Sequence, residues 1–367
     1  AVPEPAPTHL RLVVSASELA LLPFELAESP NGFPGAGQSL TLQPHLPLCI
    51  TREIRRATVT PPPPSPRYRV LFVAASPPDV GTVPLEAHLL ALRKAVDPWL
   101  ARKPGQERQD LDALLKLLPN ASIEEIETQC ATGDFTHVHI LAHGVRRQVG
   151  EDQRFMLALH DSRDASKTDY VDAQRLATAL RPDRRDGTGG PAAAGPAIVL
   201  PQVVSLASCD SGGVGSVAGA GASLAHGLHD AGVPIVVAGQ FPLSFKGSVR
   251  LVETLYDGLL WGQDPLWVLH GLRRSLKTQF ADTHDWASLV VYAALPAEHD
   301  RIVSEHRLER VVGALTAALQ QADLTIKHDG KPDQSPATTG HVPPNDRIKA
   351  AMARLDGLRA ETRAPRE

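Results

Sequence analysis

The sequence predicts an α/β fold, a mostly parallel sheet with helices on both faces, and three observations carry this. Short continuous apolar runs recur along the chain, helical periodicities fall between them, and turns rich in glycine or proline separate the two. A strand buried on both faces reads as an unbroken apolar run, and its alternation with helices builds a parallel sheet.

The first such strand is Arg69-Val-Leu-Phe-Val-Ala-Ala75. Leu85 to Leu100 follows with helical spacing at Leu85, Leu89, Leu92 and Val96. Ser122-Ile-Glu-Glu125 has the hydroxyl and carboxylate of a capping box and opens a short helix. His137 to Ala142 and Phe155 to Leu159 read as the next strands, and Asp172 to Leu180 as a helix. Val203 to Ala207 is a strand, followed by a Gly-rich turn and a helix of small residues from about Val217 to Ala231. Val233 to Gly239 is a strand, Ser248 to Leu260 and Pro265 to Phe280 are helices, and Leu289 to Ala293 is the last strand. Beyond it, Arg301 to Leu324 has apolar residues at Ile302, Leu308, Val311, Val312, Leu315, Ala318 and Leu319. That stripe predicts a helix packed on the parent domain, with partner docking as its alternative use.

The 367 residues suffice for one large domain with appendages, and 43% of them are apolar. A net charge of −4 with both signs mixed gives no basic stripe for nucleic acid, and no apolar run is long enough to cross a bilayer. Three widely spaced cysteines, Cys49, Cys130 and Cys209, form no disulfide framework and point to a reducing, cytoplasmic setting. The amino terminus lacks the basic and apolar regions of a signal peptide, and it lacks an initiator Met. Thr60-Pro-Pro-Pro-Pro-Ser-Pro66 is a stiff linker after residues 1–59, and Lys327 to Asn345 is a polar connector. The expected division is a strand segment at 1–59, a linker at 60–66, a core at 67–296, a helix at 297–326 and a flexible tail at 327–367.

Two strand ends carry the chemistry: Ile140-Leu-Ala-His143-Gly144 and Ser205-Leu-Ala-Ser-Cys209-Asp-Ser-Gly-Gly213. Parallel strands collect functional loops at their carboxyl ends, so a Cys and a His there can share one crevice. Cys209 would supply the attacking sulfur, and His143 would take its proton and later protonate the leaving amine. The amides of Gly144 and Cys209 could hold the oxyanion, and the helix after Cys209 would favour thiolate at its positive end.

These two motifs resemble those of the CHAT peptidases, relatives of caspases and separase. Leu12-Val-Val-Ser-Ala-Ser-Glu-Leu-Ala-Leu-Leu-Pro-Phe-Glu25 is similar to the family's N-terminal strand pair with its Leu-Pro-Phe-Glu turn. Gly232 to Ser244 is similar to the strand and loop after the nucleophile helix, and Trp286-Ala-Ser-Leu-Val-Val-Tyr292 to the last strand. The resemblance covers roughly residues 10–295 and implies a caspase-like fold with an N-terminal strand-containing extension. It implies a cysteine endopeptidase that cuts a protein substrate through a His143–Cys209 dyad without cofactor or metal. Regulated service in prokaryotic defence or CRISPR-linked signalling is also implied, with a sensor domain or partner protein as activator.

The chain departs from the family pattern in three ways. The 66 positions between His143 and Cys209 imply a surface insertion at Arg181 to Pro201, poorly ordered at Thr188 to Pro196. The loop after Gln240 has Phe245 where the family often has an acid after Ser. No receptor repeats precede the peptidase, so its regulator is expected outside this sequence. With no acid in Gln240-Phe-Pro-Leu-Ser-Phe-Lys246, the substrate pocket is expected to be apolar, lined by Phe241, Leu243 and Phe245.

Other readings are weaker. Cys49 and Cys130 sit among apolar neighbours and read as structural. His137, His139 and His143 lack a fourth ligand at metal spacing, so His137 and His139 read as sheet-packing or site-supporting residues. Gly213-Val-Gly215-Ser-Val-Ala218 matches dinucleotide-binding letters without their strand context, and Asp210 reads as a turn residue. A silent scaffold of the same fold and a nucleotide-binding regulator are the alternatives.

Overall fold

The computed structural model describes residues 7–14, 19, 22–33, 35–43, 46–54, 68–100, 107–149, 152–181, 200–207, 220–296, 298–327 and 353. In chain order the strands are β1 (Thr8–Val13), β2 (Leu48–Glu53), β3 (Val70–Ala74), β4 (Leu115–Leu118), β5 (His137–Leu141), β6 (Gly144–Val149), β7 (Asp152–His160), β8 (Thr168–Val171), β9 (Val203–Ala207), β10 (Ile235–Gly239) and β11 (Leu289–Ala293). The helices are α1 (Leu85–Val96), α2 (Glu107–Leu114), α3 (Ile123–Thr132), α4 (Ala173–Leu180), α5 (Ala220–Asp230), α6 (Phe245–Leu260), α7 (Pro265–Gln279), α8 (Asp285–Ser288) and α9 (His299–Lys327).

Eight strands form one sheet in the order β1-β2-β11-β10-β9-β5-β3-β4. Strands β10, β9, β5, β3 and β4 run parallel, as do β1, β2 and β11, and the antiparallel pair β10/β11 joins the two blocks. The predicted mostly parallel α/β sheet is therefore the fold observed. Residues 48–53 enter this sheet beside β11, and the strand paired with β1 is β2 rather than one within Leu12–Glu25.

Alternation along each strand divides the core into two layers. Leu71, Val73, Val138, Ile140, Val204 and Leu206 face α3, α4 and α5. Val70, Phe72, Leu141, Val203, Ala207 and Val237 face α1, α6 and α7. Every residue of β3, β5, β9 and β11 is buried, which is why these strands read as continuous runs.

Phe155 to Leu159 is a strand, but not one of the main series. It belongs to β7, the centre of a separate antiparallel sheet β6-β7-β8. One face of β7 still supplies Leu157 and Leu159 to the core, so the apolar run is real while its pairing is local. Most of the expected insertion, at residues 182–199, lies outside the described residues, as does the 60–66 linker. Helix α9 packs on Trp261 through Val311 and Leu315 of the predicted stripe together with Ala314, while Leu308 and Val312 of that stripe are exposed. Arg310 is sandwiched between the Tyr68 and Trp99 rings, with its guanidinium carbon 4.2 and 3.9 Å from their centroids. Among the described residues no helix is long and apolar enough to cross a membrane.

Candidate active site

The carboxyl edge of the five-strand block presents, side by side, the ends of β10, β9, β5 and β3. Strand β5 lies parallel to β9 with Leu141 opposite Ala207. His143 follows Leu141 by two residues and leaves this edge, and in the sequence Cys209 follows Ala207 by two. Cys209 itself, with Asp210 and the Gly213 turn, lies outside the described residues.

His143 is 5% exposed. Its carbonyl accepts the Ala158 amide at 2.9 Å, which ties the turn after β5 to β7. Half-buried Gly144 begins β6 directly after it. The loop following β3 is fixed by His160 at the end of β7: its Nε2 accepts the Ser76 amide at 3.3 Å, and its Nδ1 donates to the Ala165 carbonyl at 2.8 Å. Those two contacts define one neutral tautomer for His160. Asp79 in the same loop accepts from Thr168 and Tyr170 of β8. The small sheet is thus fastened to the edge at three places.

On the other side, the loop after β10 holds the residues expected to line a substrate pocket. Leu243 is fully buried and packs into the core against α6 and α7, so in this structure it lines no open surface. Phe241 is half-buried and meets the His284 ring edge-on, with centroids 6.0 Å apart. Phe245 is 42% exposed in the first turn of α6. The accessible apolar surface of this loop therefore comes from Phe241 and Phe245.

Sequence reasoning found no acid in that loop, yet the fold brings one to it. Asp285, 1% exposed, accepts the Ser244 amide at 3.0 Å and the Ser244 hydroxyl at 2.6 Å. Ser244 Oγ in turn accepts the Gly247 amide at 3.0 Å and caps α6, whose positive end favours the nearby carboxylate. A Cβ at Gly247 would stand 2.2 Å from Asp285 Oδ2, so only glycine admits this approach. Nothing in the sequence links Asp285 to Ser244 except its position just before the last strand.

Of the three cysteines, two are described and both are free. Burial pushes the Cys49 thiol up to about 11 and the Cys130 thiol up to about 12, leaving both protonated near neutral pH. His139 is fully buried and His137 nearly so, and both lie in the sheet as expected. Among the described residues no group of three or more His, Cys, Asp or Glu side chains could hold a metal ion.

The family model of the CHAT domain matches residues 2–294. A search of curated proteins finds no match.

Proposed function

The chain belongs to the CHAT domain family of caspase-like cysteine peptidases, and we propose that it is a cysteine endopeptidase acting through Cys209 and His143. The observation that carries this is the register of β5 and β9, in which Leu141 and Ala207 are partners two residues before the two reactive groups. In this reading His143 accepts the Cys209 proton, and the thiolate attacks the scissile carbonyl of a protein substrate. The amides of Gly144 and Cys209 hold the oxyanion, and protonated His143 delivers its proton to the leaving amine. Water then attacks the thioester, with His143 again as base, and releases the acid product. Phe241 and Phe245 offer an apolar surface to the residue before the scissile bond, which favours Leu or Met there. Leu243 contributes from beneath, through the packing of the loop. The chain needs no cofactor for these steps. Its setting, by family resemblance, is prokaryotic defence or CRISPR-linked signalling in the cytoplasm, with a sensor domain or partner protein that activates it.

Site-resolved alkylation tests the dyad. With Cys49 and Cys130 held protonated by burial, iodoacetamide at pH 7 is expected to modify Cys209 first. His143→Ala should slow that reaction about tenfold or more. A Cys209 that reacts no faster than Cys49 and Cys130, with or without His143, would refute the assignment.

A further inference from the structure

Five polar side chains, all fully buried, form one continuous file beneath the candidate site. Tyr256 Oη lies 2.8 Å from Ser205 Oγ, which lies 2.7 Å from His139 Nδ1. His139 Nε2 is 2.9 Å from His88 Nδ1, and His88 Nε2 is 3.0 Å from Ser248 Oγ. Ser248 Oγ in turn donates to the Phe245 carbonyl at 2.9 Å.

That last carbonyl fixes the direction of every link, because it can only accept. Ser248 spends its proton on Phe245, so it receives one from His88 Nε2–H. His88 Nδ1 is then bare and accepts from His139 Nε2–H. His139 Nδ1 is bare in turn and accepts the Ser205 hydroxyl, which accepts from Tyr256. Each link holds one proton, and both imidazoles are neutral. The reverse order would set a Ser248 lone pair against the carbonyl oxygen at 2.9 Å. Burial also disfavours charge on either ring: it lowers His88 to about 4 and holds His139 well below the usual range. Phe72 flanks both rings, with centroids 6.4 and 5.2 Å away.

The ends of the file give it meaning. His139 and Ser205 are register partners on β5 and β9, each four residues before one member of the proposed dyad. Phe245 is the first residue of α6, directly after the loop that offers Phe241. We propose that His88 is a positioning residue, whose neutral imidazole locks the strand ends carrying His143 and Cys209 to the substrate loop. The role rests on the peptidase reading; the direction of the file does not.

The test uses the full chain labelled with 15N-histidine. Long-range 1H–15N spectra at pH 7 should show His88 and His139 both as Nε2–H tautomers. An Nδ1–H tautomer or a charged ring at His88 would overturn the proposal. In parallel, the alkylation rate of Cys209 is compared in two variants. His88→Gln keeps one acceptor and one donor in the same order and should stay within about threefold of wild type. His88→Leu keeps the volume and breaks both links, and should slow the reaction about tenfold or more, since small misplacements of reacting groups are costly. Thermal unfolding establishes that each variant is folded. Equal rates in the two variants, over a reactive wild type, overturn the positioning role alone. An unreactive Cys209 in wild type overturns it through the peptidase reading.

Discussion

The Asp285 carboxylate accepts both the amide and the hydroxyl of Ser244, 41 residues earlier in the chain, and so anchors the loop after β10 to the start of β11. Asp285→Asn would set an amide donor against one of those two donors. The expected outcome is a loss of about 1–3 kcal/mol in urea unfolding, with KM raised more than kcat is lowered. A second buried acid lies in the turn at Phe24–Leu26. Glu25 takes two bonds from Arg52, at 2.5 and 2.9 Å, and stands 3.6 Å from Arg273, all three side chains being fully buried. Glu25→Gln leaves two buried guanidinium groups without a counter-charge and should cost about 3–5 kcal/mol by chemical denaturation. The Leu-Pro-Phe-Glu turn that carries Glu25 was legible in the sequence, but its arginine partners were not. They come from β2 and α7, and only folding brings them together. His88 was hidden in another way. It sits within a helical apolar repeat of Leu85, Leu89, Leu92 and Val96, where one polar residue on the inner face leaves the periodicity intact.

Strands buried on both faces announced themselves, and β3, β5, β9 and β11 fall close to where their apolar runs do. The capping box at Ser122 is complete, with the Ser122 hydroxyl accepting the Glu125 amide and the Glu125 carboxylate accepting the Ser122 amide. Strands β6 and β8 were not legible. Gly144-Val-Arg-Arg-Gln-Val149 and Thr168-Asp-Tyr-Val171 carry too few apolar residues to signal a strand. Some of their side chains find partners across the small sheet, where Arg146 covers Phe155 and Arg147 covers Tyr170 at 5.3 and 4.0 Å. Strand β4 was masked by the helix before it, since Leu111, Leu114, Leu115, Leu117 and Leu118 form one leucine-rich stretch. The loop between β10 and α6 governs selectivity in this account. An activated preparation profiled against a peptide library should prefer Leu or Met before the scissile bond. A dominant Arg, Lys or Asp at that position would contradict the apolar surface of Phe241 and Phe245. Discrimination among apolar residues should be modest, about 1–3 kcal/mol per methylene.

The molecule as a whole is built around neutral, buried histidines, and its stability should depend on pH accordingly. Burial lowers His88 to about 4 and His137 to about 3. Above about pH 6.5 these groups are neutral in both the folded and unfolded chain and contribute no pH dependence. Between that pH and their folded values, the unfolded chain binds protons that the folded chain refuses. Stability therefore falls as acid is added, by on the order of 1.4 kcal/mol per pH unit for each such histidine. Thermal unfolding at pH 7 and pH 5 should show the drop, and His88→Gln should make the slope shallower. The same burial places the polar file under the edge where β5 and β9 end, so the chemistry and the core share one set of strands. In the proposed function, that arrangement cuts another protein. The direct measurement is co-expression of the chain with the products of neighbouring genes, followed by mass spectrometry of new fragments. The account predicts a defined fragment pair with the wild type that disappears with Cys209→Ala and with His143→Ala. The same fragments persisting in the Cys209→Ala variant, or no fragment with the wild type, would contradict it.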